Sequence, residues 1–454
     1  MGHSRKIYFF AGLAYLAFVV YGSLLPLDFR PRPLEVALRD FYHIRYLRLD
    51  ADSRADWVAN ILLYIPLAYL WLGAQSCDGR MFLKVFQSTV VFCFCVVLSV
   101  AIEFTQQFFP PRTVSLNDLI AEMLGAGVGI VLWWTSGQRL RRLFELVVAQ
   151  GRGAAYAGAV LYSTAYMVFS LFPFDFLISA EEFSRKLAGD YFSWLPSTSR
   201  CGEELRCGAK LMAEAVAVAP LGFLLSFLSQ KRELALIKSG AQVGFWLGLI
   251  IEGLQLFLAS GISLAVSVLT RAVGVAGGAA AGELLRRIRP WPLLYLLAPW
   301  MPLAGVIYVA LLFAVTLAGK GPMLSINEGL ARLNEIYFLP FYYHYYTTES
   351  AAMTSLISVT SMFLPIGVMF WVWRVVRMRE FVARGAFQAA LLSGLIAALV
   401  ETGKLFFRSS RPDPTDVIIA GAAGAIGFVV MSICTHASLN FASPADDVSA
   451  HESS

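Results

Sequence analysis

Continuous apolar runs separated by short polar stretches organise this chain from one end to the other. A first set of four runs lies near residues 7–25, 57–75, 84–107 and 117–135. A second lies near 153–172, 210–229, 238–258 and 265–285, and a third near 294–318, 351–373, 385–407 and 415–435. A helix of about 20 apolar residues crosses the hydrocarbon of a bilayer, so the pattern predicts an all-α polytopic membrane protein with about twelve transmembrane helices. The runs fall into three four-helix groups: residues 1–150, 151–290 and 291–437, followed by a polar tail over 438–454.

The grouping is written in residues as well as in hydropathy. Ser-Leu-Leu-Pro-Leu-Asp-Phe at 23–29 returns as Ser-Leu-Phe-Pro-Phe-Asp-Phe at 170–176. Pro66-Leu67, Pro220-Leu221 and Pro365-Ile366 stand inside the second run of each group, followed by Ala68, Gly222 and Gly367, and are expected to bend equivalent helices. At the end of the third run Glu103, Glu252 and Glu401 stand 149 residues apart, each followed three residues later by Gln106, Gln255 or Lys404. The same offset carries Asp118 to Ser267 and Asp416, and Gly129 to Gly278 and Gly427. Three tandem copies of one unit are expected. Four spans per unit is an even number, so the copies are parallel and not inverted. The small residues of the fourth runs, Gly125 to Gly129 and Gly274 to Gly282, suit close backbone approach and suggest a central contact between fourth helices in a pseudo-threefold bundle.

Composition narrows the class. Apolar residues make up 58% and charged residues 15%, with a mean hydropathy of +0.65, against about 45–50% and 25% in soluble chains. The net charge of +5 contains no run of like charges that would form a nucleic-acid-binding tail. His3, His43, His344, His436 and His451 are scattered and no Cys-x-x-Cys occurs, so neither a metal nor a cofactor is expected. Cys93, Cys95 and Cys434 sit in apolar runs and Cys77 in a short loop, as small hydrophobes do. Cys201 and Cys207 flank a polar stretch and are placed to pair as a disulfide if that loop is extracytoplasmic. The opening run after Arg5 and Lys6 has no Ala-x-Ala cleavage pattern, and its local sequence recurs later, so it reads as a span and not a signal peptide. Arg139, Arg141, Arg142, Arg152, Lys231, Arg232, Lys238, Arg374 and Arg377 all fall on one side, which places both termini in the cytoplasm. Three long segments, about 26–56, 173–209 and 319–350, then lie on the outer face, the last with an aromatic stretch from Tyr337 to Tyr346 suited to headgroup level.

Candidate chemistry concentrates where the third run of the first group ends. Glu103 and Gln106 share a helix face, Pro110 and Pro111 close the helix, and Arg112, Ser115 and Asp118 occupy the turn and the next helix start. The carboxylate is expected roughly 8 Å inside the outer helix end at 1.5 Å per residue, where it needs a partner, a proton or water. Arg112 carries a planar fork suited to phosphate or carboxylate. The bland alternative is a polar lock between third and fourth helices. A pairing of Glu122 with Arg271 across groups is a further expectation.

These residues resemble the VanZ-like family of bacterial membrane proteins, whose pattern joins Glu-x-x-Gln, a following Arg, and an Asp leading into a Gly-containing helix. Glu103, Gln106, Arg112 and Asp118 match it, and Asn60 with the following Pro66-Leu67 resembles the family's second helix, so the likeness covers about 22–135. The second group keeps only Glu252 and Gln255, and the third keeps Glu401, Asp416 and a nearby Arg411 with Lys404 in place of Gln. The resemblance implies a cell-envelope protein of the bacterial inner membrane that handles an anionic lipid headgroup or a lipid-linked glycan precursor, such as a polyprenyl-phosphate-linked saccharide, at the outer face. It also implies a part in envelope-directed antibiotic resistance. Membrane lipids are the partners expected. A lipid-linked-saccharide transporter is a second reading and requires a path to the cytoplasmic side. A membrane-embedded hydrolase or transferase acting on a lipid phosphate is a third; no nucleophile motif or phosphate-binding glycine loop supports it, so a non-enzymatic role is favoured.

Overall fold

The computed structural model describes residues 3–46, 51–75, 81–149, 151–189, 192–193, 204–229, 233–288, 290–375 and 382–441. In chain order the first group is α1 (His3–Leu24), α2 (Leu34–Tyr42), α3 (Ala51–Gln75), α4 (Met81–Gln106) and α5 (Leu116–Ala149). The second is α6 (Gly151–Ser170), α7 (Ala180–Ala188), α8 (Glu204–Leu228), α9 (Glu233–Gln255) and α10 (Ala265–Ile288), and a two-residue parallel pairing joins β1 (Phe192–Ser193) to β2 (Ser263–Leu264). The third is α11 (Pro290–Leu297), α12 (Met301–Leu317), α13 (Ile326–Ala331), α14 (Tyr342–Tyr345), α15 (Glu349–Val375), α16 (Val382–Lys404) and α17 (Pro414–Phe441). Two compact units result, one spanning Met1–Ala149 with Gly153–Gly282 and the other Gln150–Arg152 with Glu283–Ser454.

Among the described residues, eleven helices are long and apolar enough to cross a membrane. The run expected near 153–172 forms α6, which is not among the eleven. The run expected at 294–318 is split, because Pro299 and Pro302 cannot donate to the preceding turn and a short 3-10 segment, Ala298–Trp300, separates α11 from α12.

The glycines of the fourth helices meet the second helix of their own group. A Cβ on Gly125 or Gly129 of α5 would collide with the carbonyl oxygens of Ile61 and Ile65 on α3, one on Gly274 or Gly278 with Ala215 and Ala219 on α8, and one on Gly427 with Leu364 on α15. The expected central contact between fourth helices is therefore corrected: those small residues let two backbones of one group touch. Leu67, Leu72, Val91 and Ile102 close the first group's core, and Val218, Ile251 and Val275 the second's.

Backbone geometry recurs at the ends of the first helices. Leu27 and Phe174 both adopt a left-handed conformation (φ 62° and 66°), and 147 residues after Phe174 the same conformation falls on Gly321 (φ 84°). The segment that follows ties back to the turn after the third helix through Arg30 N–H to Phe108 O, Leu177 N–H to Phe257 O and Leu324 N–H to Phe406 O, at 2.8, 2.8 and 2.7 Å. The long connections are thus docked, each with a cation that meets carbonyls of that turn: Arg32 on Gln107, Lys186 on Gln255 and Leu258, and Arg332 on Leu405, Phe407 and Ser410.

Within the first compact unit Arg54 at the start of α3 grips Glu182 of α7 bidentately, at 2.7 and 3.1 Å, and also donates to Phe176 O. Hydrogen bonds from Arg54 and from the Ile178 N–H hold the Glu182 carboxyl down to about 2. A depressed carboxylate contributes stability that is complete above its unfolded value, about 4.3, and lost as pH falls to the folded one. Protection factors for hydrogen exchange of residues 176–188, referenced to unfolded-chain rates at each pH, should therefore stay high at pH 5 and fall progressively from pH 4 towards pH 2. In Glu182→Gln protection should be low throughout, and equal protection in the two proteins at pH 5 would refute the linkage.

Candidate functional site

The three carboxylates at the ends of α4, α9 and α16 do one thing in common. Glu252 accepts the Leu264 N–H at 2.6 Å and Glu401 the Asp413 N–H at 2.8 Å, twelve residues downstream in both cases, and Glu103 takes the backbone of Ser115, again twelve residues on. Each acid therefore satisfies a backbone donor at the start of the fourth helix, where unpaired N–H groups and the helix dipole favour negative charge. Gln106 and Gln255 add a second shared tie, donating from Nε2 to Ser23 O and Ser170 O at 2.9 and 3.0 Å.

The charge that balances the acid differs. In the second group Arg271 of α10 closes on Glu252 at 2.6 Å, with only 4% and 7% of the two side chains exposed, and its Nε donates to the Tyr166 hydroxyl. This corrects the expected Glu122–Arg271 pairing, because Arg271 projects onto its own group's third helix. In the third group Lys404 reaches Glu401 at 2.6 Å and Asp416 at 3.4 Å.

The first group has neither of these bases at the equivalent positions. Position 122, equivalent by offset to Arg271, is Glu122, whose carboxylate accepts the Ser99 hydroxyl. Position 106, equivalent to Lys404, is a glutamine. Asp118 accepts Asn60 Nδ2 at 2.7 Å and Ser115 Oγ at 2.6 Å, and Ser115 in turn caps the Asp118 N–H. Glu103, 2% exposed, makes no ion pair among the described residues, and its Oε2 has no hydrogen-bond partner there. Arg112, whose charge is felt at Glu103, directs Nε to Leu25 O and Nη2 to Gly22 O, so its fork secures the last carbonyls of α1.

The sequence-derived set is thus brought together in part. Asn60, Glu103, Gln106, Ser115 and Asp118 line the junction of α3, α4 and α5, with Arg112 on the adjoining turn. Glu122, Ser99 and the buried Tyr64 belong with them, and only Glu122 carried a sequence signal, the offset to Arg271. Glu252 with Gln255, and Glu401 with Lys404 and Asp416, form their own clusters. Arg411 stands apart, its guanidinium 4.2 Å over the Tyr343 ring. Cys207 is disulfide-bonded, and the partner expected from sequence, Cys201, lies outside the described residues.

Chemically, the first-group junction is rich in acceptors and holds one buried carboxylate oxygen ready for a donor. No curated protein and no solved structure matches the chain. Over residues 10–139, which hold Asn60, Glu103, Gln106, Arg112, Ser115 and Asp118 together, the chain matches the VanZ/LLP1 family model, and this part of the protein is VanZ-like.

Proposed function

We propose that the chain consists of three tandem VanZ-like units in a bacterial inner membrane, with both termini cytoplasmic, and that the first unit binds the headgroup of an envelope lipid at the outer face. The headgroup chemistry that fits is a hydrogen-bond donor, above all the hydroxyl-rich saccharide of a lipid-linked glycan precursor. The observation that carries this reading is the unpartnered Oε2 of Glu103 beside Asn60, Ser115 and Asp118. A buried acceptor left unmatched costs about 1–3 kcal/mol, more for a charged group, and a sugar hydroxyl or an ammonium removes that cost. In the second and third units Arg271 and Lys404 already do so from within the chain. These two units act as structural copies, and envelope-directed resistance follows from sequestering or shielding the bound lipid.

Native mass spectrometry of the full chain in mild detergent tests the reading on co-purified lipids. The wild type should carry a glycolipid adduct whose occupancy falls at least tenfold in Glu103→Gln, while Glu252→Gln leaves it in place. Equal adducts in all three proteins would make Glu103 a lock between α4 and α5 and nothing more.

A further inference from the structure

The third group contains a second place where a ligand fits, built from residues outside the VanZ-like match. A cavity of about 600 Å³ opens between the docked segment after α12 and the turn that leads into α17. Its wall carries three guanidinium groups, Arg332, Arg408 and Arg411, against one carboxylate, Glu335. Arg332 is committed to the floor, donating to the carbonyls of Leu405, Phe407 and Ser410 at 2.8, 2.8 and 2.5 Å, so the turn is held rigid.

The other two arginines have no hydrogen bond or ion pair among the described residues. Arg411 is oriented by its stacking on Tyr343, which leaves the edge of its fork for a planar or tetrahedral oxyanion. Tyr337 and Tyr342 stack at 4.1 Å on the same wall with Tyr346 at 5.1 Å, and burial together with hydrogen bonds to these two phenols pushes the Tyr342 hydroxyl upward, so the three phenols form one protonated, hydrogen-bonded cluster. Ser410, 6% exposed, lines the cavity with an Oγ that has no partner among the described residues. Three cations, phenol donors and a vacant hydroxyl around one cavity are the complement of a phosphoryl group.

We infer that this cavity is a phosphoryl-binding site formed by Arg408, Arg411, Tyr342 and Ser410. It does not depend on the first-unit reading, since no residue is shared. The surrounding exposed aromatics, Tyr337, Phe338 and Tyr346, set it at the depth of a lipid headgroup, so the natural source is a membrane phospholipid or a phosphorylated soluble group.

Isothermal titration of the full chain in dodecyl maltoside micelles tests this with three probes: inorganic phosphate, dioleoyl phosphatidic acid, and dioleoylglycerol as the lipid without phosphate. Phosphatidic acid should bind while dioleoylglycerol does not. Binding should weaken at least tenfold in Arg408→Gln/Arg411→Gln and be unchanged in the charge-matched Arg287→Gln/Arg384→Gln. Inorganic phosphate binding with the same mutational loss would point to a soluble source, and phosphatidic acid alone to a lipid. Ser409→Trp, which blocks the mouth without altering charge, should reproduce the loss and covers a failure of the double variant to fold. Absence of binding by either phosphoryl probe, or equal weakening in both arginine pairs, would overturn the inference.

Discussion

Arg271→Met should destabilise the chain by about 3–5 kcal/mol, the range for breaking a buried ion pair from one side. Arg271 and Glu252 are 3% and 6% exposed, and their 2.6 Å contact is reinforced by the Tyr166 hydroxyl. Removing the guanidinium strands the Glu252 carboxylate with a single donor, the Leu264 N–H, and leaves the phenol facing an apolar side chain. Neutralising both partners is a different matter, because an amide beside a thioether buries no charge. Glu252→Gln/Arg271→Met should therefore recover most of the loss, giving a coupling energy well above the few tenths expected for independent sites. SDS-titration unfolding in mixed micelles of the wild type, both singles and the double measures this directly. A single-variant loss under about 1 kcal/mol, or simple additivity, would mean the pair behaves like a solvated surface bridge.

Much of this architecture was legible because membranes simplify the code: a span must be apolar and long, and a buried carboxylate must be exceptional. The offset of 149 residues between Glu103, Glu252 and Glu401 identified three positions that prove to share one backbone contact, and Gln106 and Gln255 likewise share theirs. The expected run at 294–318 stands as one span although Pro299 and Pro302 interrupt its helix, and the run at 153–172 forms α6, which is not among the eleven. The partner of each acid was not legible. Arg271 lies nineteen residues from Glu252 with a turn between them, and nothing in the spacing says that α10 presents it to α9 and not to another group. Arg112 shows the opposite failure: its place in a recognised pattern suggested an open fork, whereas the chain uses it on the carbonyls of Gly22 and Leu25. The docked connections were missed as structure because α2, α7 and α13 span only nine, nine and six residues, too short for a periodic pattern to stand out.

Supplying the first group with the cation it lacks should switch its site off. Glu122→Arg installs at the position equivalent to Arg271 the guanidinium that closes on Glu252, and Gln106→Lys installs at the position equivalent to Lys404 the ammonium that closes on Glu401. Each variant satisfies Glu103 from within the chain by a route the same fold already uses. A hydrogen bond to a charged group is worth about 1.5–3 kcal/mol, so SDS-titration stability should rise by that order, less the Ser99 bond lost from Glu122 or the Ser23 bond lost from Gln106. Headgroup adducts in native mass spectra should fall at least tenfold in both. The opposed signs matter, since a substitution that merely damages the junction lowers stability and binding together, whereas filling a vacant acceptor raises one and abolishes the other. If both variants are stabilised and the adduct persists, the lipid is held elsewhere. Glu103 would then be, like its two counterparts, an acid whose work is to hold the start of the fourth helix.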